Sequence, residues 1–173
     1  MNEIEQHRKI KMNNKRVEIE KLEGQNCFAC GTANPIGLNL QFYRLDDAVC
    51  SDITLGKNYE GWQNMAHGGI VSTLLDEVMS WAVIYFKKSF LVTRKMEVKY
   101  VRPVLIETPL TVKGVIVDES SPPKIRAKGE VKDNEGRLLV RSFAEFVLLE
   151  KGRLSSVPEE LKEGMLSLFE KFE

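Results

Sequence analysis

The sequence predicts an α+β domain in which an antiparallel sheet curls round one long central helix. Three observations predict it. Val71, Leu74, Leu75, Val78, Met79 and Ala82 recur at three- and four-residue spacing, the signature of a helix. Lys95-Met96-Glu97-Val98-Lys99-Tyr100 and Lys124-Ile125-Arg126-Ala127-Lys128-Gly129-Glu130-Val131 alternate with a period of two, the signature of strands covered on one face. Asp118-Glu119-Ser120-Ser121-Pro122-Pro123 and Asp133-Asn134-Glu135-Gly136 are turn signals between the later strands. One apolar sheet face needs a cover, and the single long apolar helix supplies it.

The elements follow in order. Residues 1–24 are densely charged with weak apolar periodicity, and read as a surface helix or partly ordered arm. Cys27 to Pro35 is a loop signal. Strands are predicted over residues 38–44 and 49–55, turning at Asp46-Asp47. A Gly- and Asn-bearing loop leads into the helix at Gly68, which runs to about Phe86. Ser72, Asp76 and Ser80 lie four apart, so the helix is apolar nearly all round with one polar stripe. Four strands follow, near residues 95–100, 110–117, 124–131 and 138–149. The tail opens on Ser156-Val157-Pro158-Glu159, a capping-box pattern, before a short amphipathic helix marked by Leu161, Met165, Leu168, Phe169 and Phe172. The predicted organisation is an arm over residues 1–24, a domain over 25–150 and a C-terminal helix over 151–173.

Composition bounds the function. The 173 residues carry 25 Lys plus Arg against 25 Asp plus Glu, and 43% are hydrophobic. A chain of this size buries roughly 70% of its extended surface, so a real core is expected. Neutrality removes the simplest case for nucleic-acid binding, which needs a basic excess. It also leaves little self-repulsion against self-association. Three cysteines make no disulfide scaffold. No signal peptide is read at the start, and the longest stretch free of charged residues, Gly61 to Leu75, is shorter than the ~20 residues of a spanning helix. No membrane partner is expected, and the default compartment is the cytoplasm.

The chemistry concentrates between residues 61 and 103. Gly68 and Gly69 stand at a helix start, where N–H groups are unpaired and the dipole is positive. Glycine there lets a carbonyl oxygen approach the backbone, which makes an oxyanion site. Asp76 lies about two turns further on, in the polar stripe. A carboxylate in apolar surroundings is basic, as a nucleophile or a water-activating base requires. Glu77 is a rival carboxylate, ~100° round the helix. Cys27 and Cys30 have a metal-ligand spacing, but Cys50, His7 and His67 spell out no tetrahedral set, so no metal is expected.

His67-Gly68-Gly69, then Leu74-Leu75-Asp76, then Tyr100-Val101-Arg102-Pro103 resemble the hotdog-fold acyl-CoA thioesterases, in particular the phenylacetate-degradation-type branch. Cys27-Phe28-Ala29-Cys30-Gly31 with Asn34-Pro35-Ile36-Gly37-Leu38 is similar to the strand entry of that branch. The resemblance covers roughly residues 25–149. It implies a hotdog fold and hydrolysis of an acyl- or aryl-CoA thioester. Gly68 would donate its N–H to the thioester carbonyl, and His67 would sit at the helix cap and orient it. Asp76 would attack or activate water, and Thr93 matches a position that often holds the water. It implies a homodimer, with a dimer of dimers as the larger option, in which Asp76 works on the thioester held by the other subunit's glycine. No cofactor is implied, since coenzyme A belongs to the substrate.

One position departs from the pattern: Gly61 stands where many members carry Asn or Gln. Asn64 and Gly69 remain substrate-binding candidates, as do Lys99 and Arg102, two of several basic residues that either solvate the sheet or bind coenzyme A phosphates. Trp62, Trp81, Tyr85, Phe86 and Phe90 are candidates for the acyl-pocket wall. Two other readings compete: a hotdog dehydratase or hydratase, which needs His67 to move a proton, and a non-catalytic acyl-CoA-binding protein.

Overall fold

The computed structural model describes residues 15–150, 154–155 and 157–172. Seven strands form one antiparallel sheet: β1 (Val17–Ile19), β2 (Phe42–Leu45), β3 (Ala48–Thr54), β4 (Leu91–Tyr100), β5 (Pro109–Ser121), β6 (Lys124–Asp133) and β7 (Leu138–Leu148). Their order across the sheet is β1-β2-β3-β5-β6-β7-β4. The central helix α1 (Gly68–Lys87) lies against the inner face, and α2 (Glu159–Lys171) follows the last strand.

The α1 periodicity is realised. Val71, Leu74, Leu75, Val78, Met79, Ala82 and Val83 are all at most 1% exposed. Each such side chain contributes roughly 1.5–3 kcal/mol by leaving water. Over this length α1 is also apolar enough to cross a membrane, with mean hydropathy 1.3, but 56% of that window is buried inside the fold. The helix approaches the sheet closely at Gly114, where a Cβ would stand 2.6 Å from the Val78 carbonyl oxygen. The strand alternation has a packing purpose here: Val112 and Gly114 face the helix while Lys113 between them points to the other face of the sheet.

Three sequence expectations are corrected. Residues 17–19, placed in an arm without strand character, form β1 and pair with β2 through Val17 to Arg44 and Ile19 to Phe42. Arg16 stacks 3.6 Å over the Tyr43 ring and holds that end in place. Residues 1–14 of the expected arm lie outside the described residues. The strand expected over 38–44 is shorter, because Asn39 takes a left-handed φ of 46° and Lys21 binds the Cys30 and Leu40 carbonyls in the loop. The capping box is not seen as written: α2 begins after Pro158, which offers no side-chain cap, and Ser156 lies outside the described residues.

The aromatic candidates for a pocket wall also divide. Trp81 stacks on Phe42 at 4.7 Å, Tyr85 packs on Phe172 at 4.8 Å, and Phe90 meets Phe169 at 5.7 Å. These rings pack into the core, and the Tyr85–Phe172 and Phe90–Phe169 contacts bring the C-terminal end of the chain against them. Trp62 alone of the group stands open, 81% exposed.

Candidate active site

The start of α1 is built by the loop before it. His67 is the N-cap residue, with extended backbone, and its Nδ1 accepts a hydrogen bond from the Gly69 N–H at 3.0 Å. Its backbone N–H donates to the Tyr59 carbonyl at 2.8 Å. Capping consumes the Gly69 N–H. The Gly68 N–H has no acceptor among the described residues and is solvent-exposed. Of the two glycines, the one expected to donate to a carbonyl is the one left free.

Tyr100 completes this end. Its hydroxyl donates to the Gly68 carbonyl at 2.6 Å and lies 3.0 Å from Ser72 Oγ. In the sequence, Tyr100 opens the Tyr100-Val101-Arg102-Pro103 motif, which assigns it no role. Its signal was its register, since Tyr100 pairs with buried Val140 and therefore shares the inner face with the helix. A cavity of about 460 Å³ opens beside Gly68, lined among others by Trp62, Val71, Tyr100, Arg102 and Pro103.

Two turns along, Asp76 meets Thr93, whose Oγ1 donates to Asp76 Oδ1 at 2.9 Å. Burial raises the Asp76 pKa above the usual carboxylate value, and the Thr93 hydrogen bond opposes that rise without cancelling it. Thr93 reaches the helix through a bulge. Thr93 pairs with Phe146 and Lys95 with Glu145, so Arg94 is the extra residue. Without the bulge Thr93 and Lys95 would share a face; with it Thr93 points at α1 and Lys95 outward.

Along the helix, Gly68 and Asp76 are eight residues apart, about 12 Å at 1.5 Å per residue. One chain therefore does not bring its own carboxylate to its own free N–H. Thr93 lies on β4, an edge strand paired only with β7 among the described residues. Val92, Tyr100 and Val101 along it are 43–49% exposed.

Glu77, the rival carboxylate, points elsewhere. Its Oε1 accepts from Trp81 Nε1 at 3.1 Å and lies 4.0 Å from Cys27 Sγ. Burial pushes its pKa up to about 7, against hydrogen bonds from Cys30 and Trp81. Cys27 is held down to about 5 by the Cys30 side chain and by the backbone N–H groups of Ala29, Cys30 and Gly31. Cys30 is pushed up by the same pairing and by burial.

The weaker candidates scatter. Arg102 lines the cavity, although its Nη1 is engaged with the Leu138 carbonyl at 2.6 Å. Lys99 is exposed on the outer face of β4, opposite Arg141. Asn64 sits in a turn with φ 63°, its N–H bound by Glu60 and its carbonyl by Ile106. Asn64 is not among the residues lining the cavity.

Comparison with known proteins bears on this geometry. A thioesterase superfamily model matches residues 63–121, the segment that holds Gly68, Asp76 and Thr93. A crystal structure described as a thioesterase superfamily protein is similar with TM-score 0.66 at 26% identity, over 70% of this chain and 60% of that one. The chain carries the hotdog fold of the thioesterase superfamily. It spans less than two thirds of that first protein's length. A hypothetical thioesterase from Streptococcus pneumoniae, solved with coenzyme A, is similar with TM-score 0.56 at 21% identity, over 60% of this chain and 82% of that one. The E. coli PaaI protein from the phenylacetic acid degradation operon is similar with TM-score 0.60 at 13% identity, over 65% and 81%. At these identities the last two speak to the hotdog fold alone. No curated protein matches in sequence.

Proposed function

We propose that this hotdog chain is an acyl-CoA thioesterase of the phenylacetate-degradation type, hydrolysing an acyl- or aryl-CoA to the free acid and coenzyme A. The observation that carries the reading is the Asp76–Thr93 pair: a half-buried carboxylate with raised pKa, oriented by one hydroxyl at 2.9 Å. Its second carboxylate oxygen has no hydrogen-bond donor among the described residues, so it can face a thioester carbon or a water. The thioester carbonyl accepts from the Gly68 N–H, and negative charge gathering on that oxygen is stabilised by the helix start. His67 orients the site by capping α1, and Gly69 shapes the turn. The thiolate of coenzyme A leaves. Arg102 stands at the cavity rim for the coenzyme's phosphates, whereas Lys99 on the outer face of β4 and Asn64 outside the cavity lining stand apart from it.

Two chains make the site. The ~12 Å between Gly68 and Asp76 in one chain is spanned when a second copy lays its helix alongside. The open edge of β4, with Thr93 on it, is the surface for that partner. The relative solved with coenzyme A supports the same class of ligand here. We place the activity in the cytoplasm, where the free cysteines stay reduced.

Engagement of His67 disfavours the dehydratase reading. With Nδ1 accepting from Gly69, that nitrogen is not free to take a proton from substrate. The test is release of free thiol from a panel of short, long and aromatic acyl-CoAs. Turnover is expected on at least one class, with Asp76→Ala inactive and still folded. Near-full turnover in Asp76→Ala overturns the site. Tight acyl-CoA binding without turnover in the unaltered protein overturns the activity and leaves a binding protein.

A further inference from the structure

The Cys27–Cys30 loop folds under α1 and meets a third ligand that residue spacing does not offer. Gly31 N–H donates to the Cys27 carbonyl at 2.9 Å, closing the loop on itself. A Cβ at Gly31 would stand 2.4 Å from the Gln25 carbonyl oxygen, so only glycine allows this turn. The turn brings both thiols to one side, and Glu77 comes down from the helix 50 positions later. Cys27 Sγ, Cys30 Sγ and a Glu77 carboxylate oxygen all lie within 4.8 Å of one another.

We propose that these three atoms form a site for a zinc-class divalent cation, with water in the fourth position. Tetrahedral bonds of 2.3 Å to sulfur and 2.0 Å to oxygen put such ligands roughly 3.5–3.8 Å apart. The 4.0 Å between Cys27 Sγ and Glu77 Oε1 is close to that. Two thiolates select a soft or borderline metal over calcium or magnesium. Cys27 is exposed, which leaves a solvent-facing position for the water. Trp81 Nε1, donating to Glu77 at 3.1 Å, orients the carboxylate from behind. Lys21 Nζ, 2.7 Å from the Cys30 carbonyl, supplies a positive charge that offsets the third anionic ligand. Binding releases the Cys30 thiol proton to solvent and ties the entry loop to α1. This inference goes beyond the thioesterase reading and stands apart from it, since Glu77 and Asp76 point to different surroundings.

The experiment uses the full chain, reduced and stripped of metal, titrated with Co²⁺. One equivalent per chain is expected, with the sulfur-to-cobalt charge-transfer band and tetrahedral d–d bands, both removed by Zn²⁺. Cys27→Ser, at an exposed position, should keep its circular dichroism and lose most of the charge-transfer intensity. Glu77→Gln keeps an acceptor for Trp81 and should weaken binding by at least about tenfold. A spectrum of hydrated cobalt alone, or binding unchanged in both variants, overturns the proposal. None of these readouts involves thioester hydrolysis, so the activity and the metal site fail separately.

Discussion

Asp76 and Glu77 are neighbours on one helix with opposite surroundings. Asp76 faces the edge strand β4 and one hydroxyl, at the open side of the sheet. Glu77, ~100° round the helix, faces the entry loop, two thiols and the Trp81 ring. Both carboxylates are raised by burial, Glu77 up to about 7. A shifted pKa therefore does not by itself mark a reacting group. The more perturbed carboxylate is the enclosed one. What separates them is access: Asp76 lies beside the edge strand β4, the surface proposed above for a second chain.

Substituting each carboxylate in turn tests that contrast directly. Asp76→Ala should lower kcat by at least about a hundredfold, the usual reach of a general base or more. Glu77→Gln should lower it by less than about tenfold under the same thiol-release assay. The reverse order would assign the chemistry to the enclosed side. Next comes Gly68→Pro. Proline suits the first helical position, and His67 before it is already extended at φ −63° and ψ 133°. The substitution removes the N–H and keeps the helix, so kcat should fall about 10²-fold. Mixing inactive Asp76→Ala with inactive Gly68→Pro chains then tests the shared site. A mixed dimer pairs the intact Asp76 of one chain with the intact Gly68 of the other, and about a quarter of normal activity should return. No return would put both residues of each site in one chain.

Much of this contrast was legible in the sequence, and the unread part has one physical cause. The core face of α1 and the four later strands were legible because Val71, Leu74, Val78 and the alternation at Lys95–Tyr100 are local patterns. Motif resemblance points to Gly68, Asp76 and Thr93, and the fold adds the Thr93–Asp76 hydrogen bond that spacing does not show. What was not legible depends on contacts distant in sequence. Glu77 meets Cys27 only after the entry loop folds under the helix. Trp81, Tyr85 and Phe90 look like pocket walls until Phe42, Phe172 and Phe169 are brought against them. β1 has only Val17 and Ile19 between charged residues, too short for a period to show. The Arg94 bulge is hidden for a related reason. Strict alternation back from Lys95 puts Thr93 on the outer face, and only pairing with β7 reverses it.

That bulge sets the smallest prediction. Thr93 does not react in this reading; it holds Asp76. Thr93→Val keeps the shape and β-branching of the side chain and removes only the hydroxyl. A hydrogen bond to a charged group contributes ~1.5–3 kcal/mol, so kcat should fall roughly ten- to a hundredfold with KM little moved. Thr93→Ser restores the donor and should recover most of the rate. A purely structural Thr93 would behave otherwise, since Val would then serve as well as Thr and Ser would serve worse. Deleting Arg94 tests the same point from the backbone. With the extra residue gone, Thr93 and Lys95 become consecutive opposite Phe146 and Glu145, and regular alternation keeps Thr93 facing α1. Activity should therefore fall less than in Thr93→Val. A fall as deep as in Thr93→Val, with the chain still folded by circular dichroism, would mean that the local bend of the bulge, and not only the face it gives Thr93, sets the hydrogen bond to Asp76.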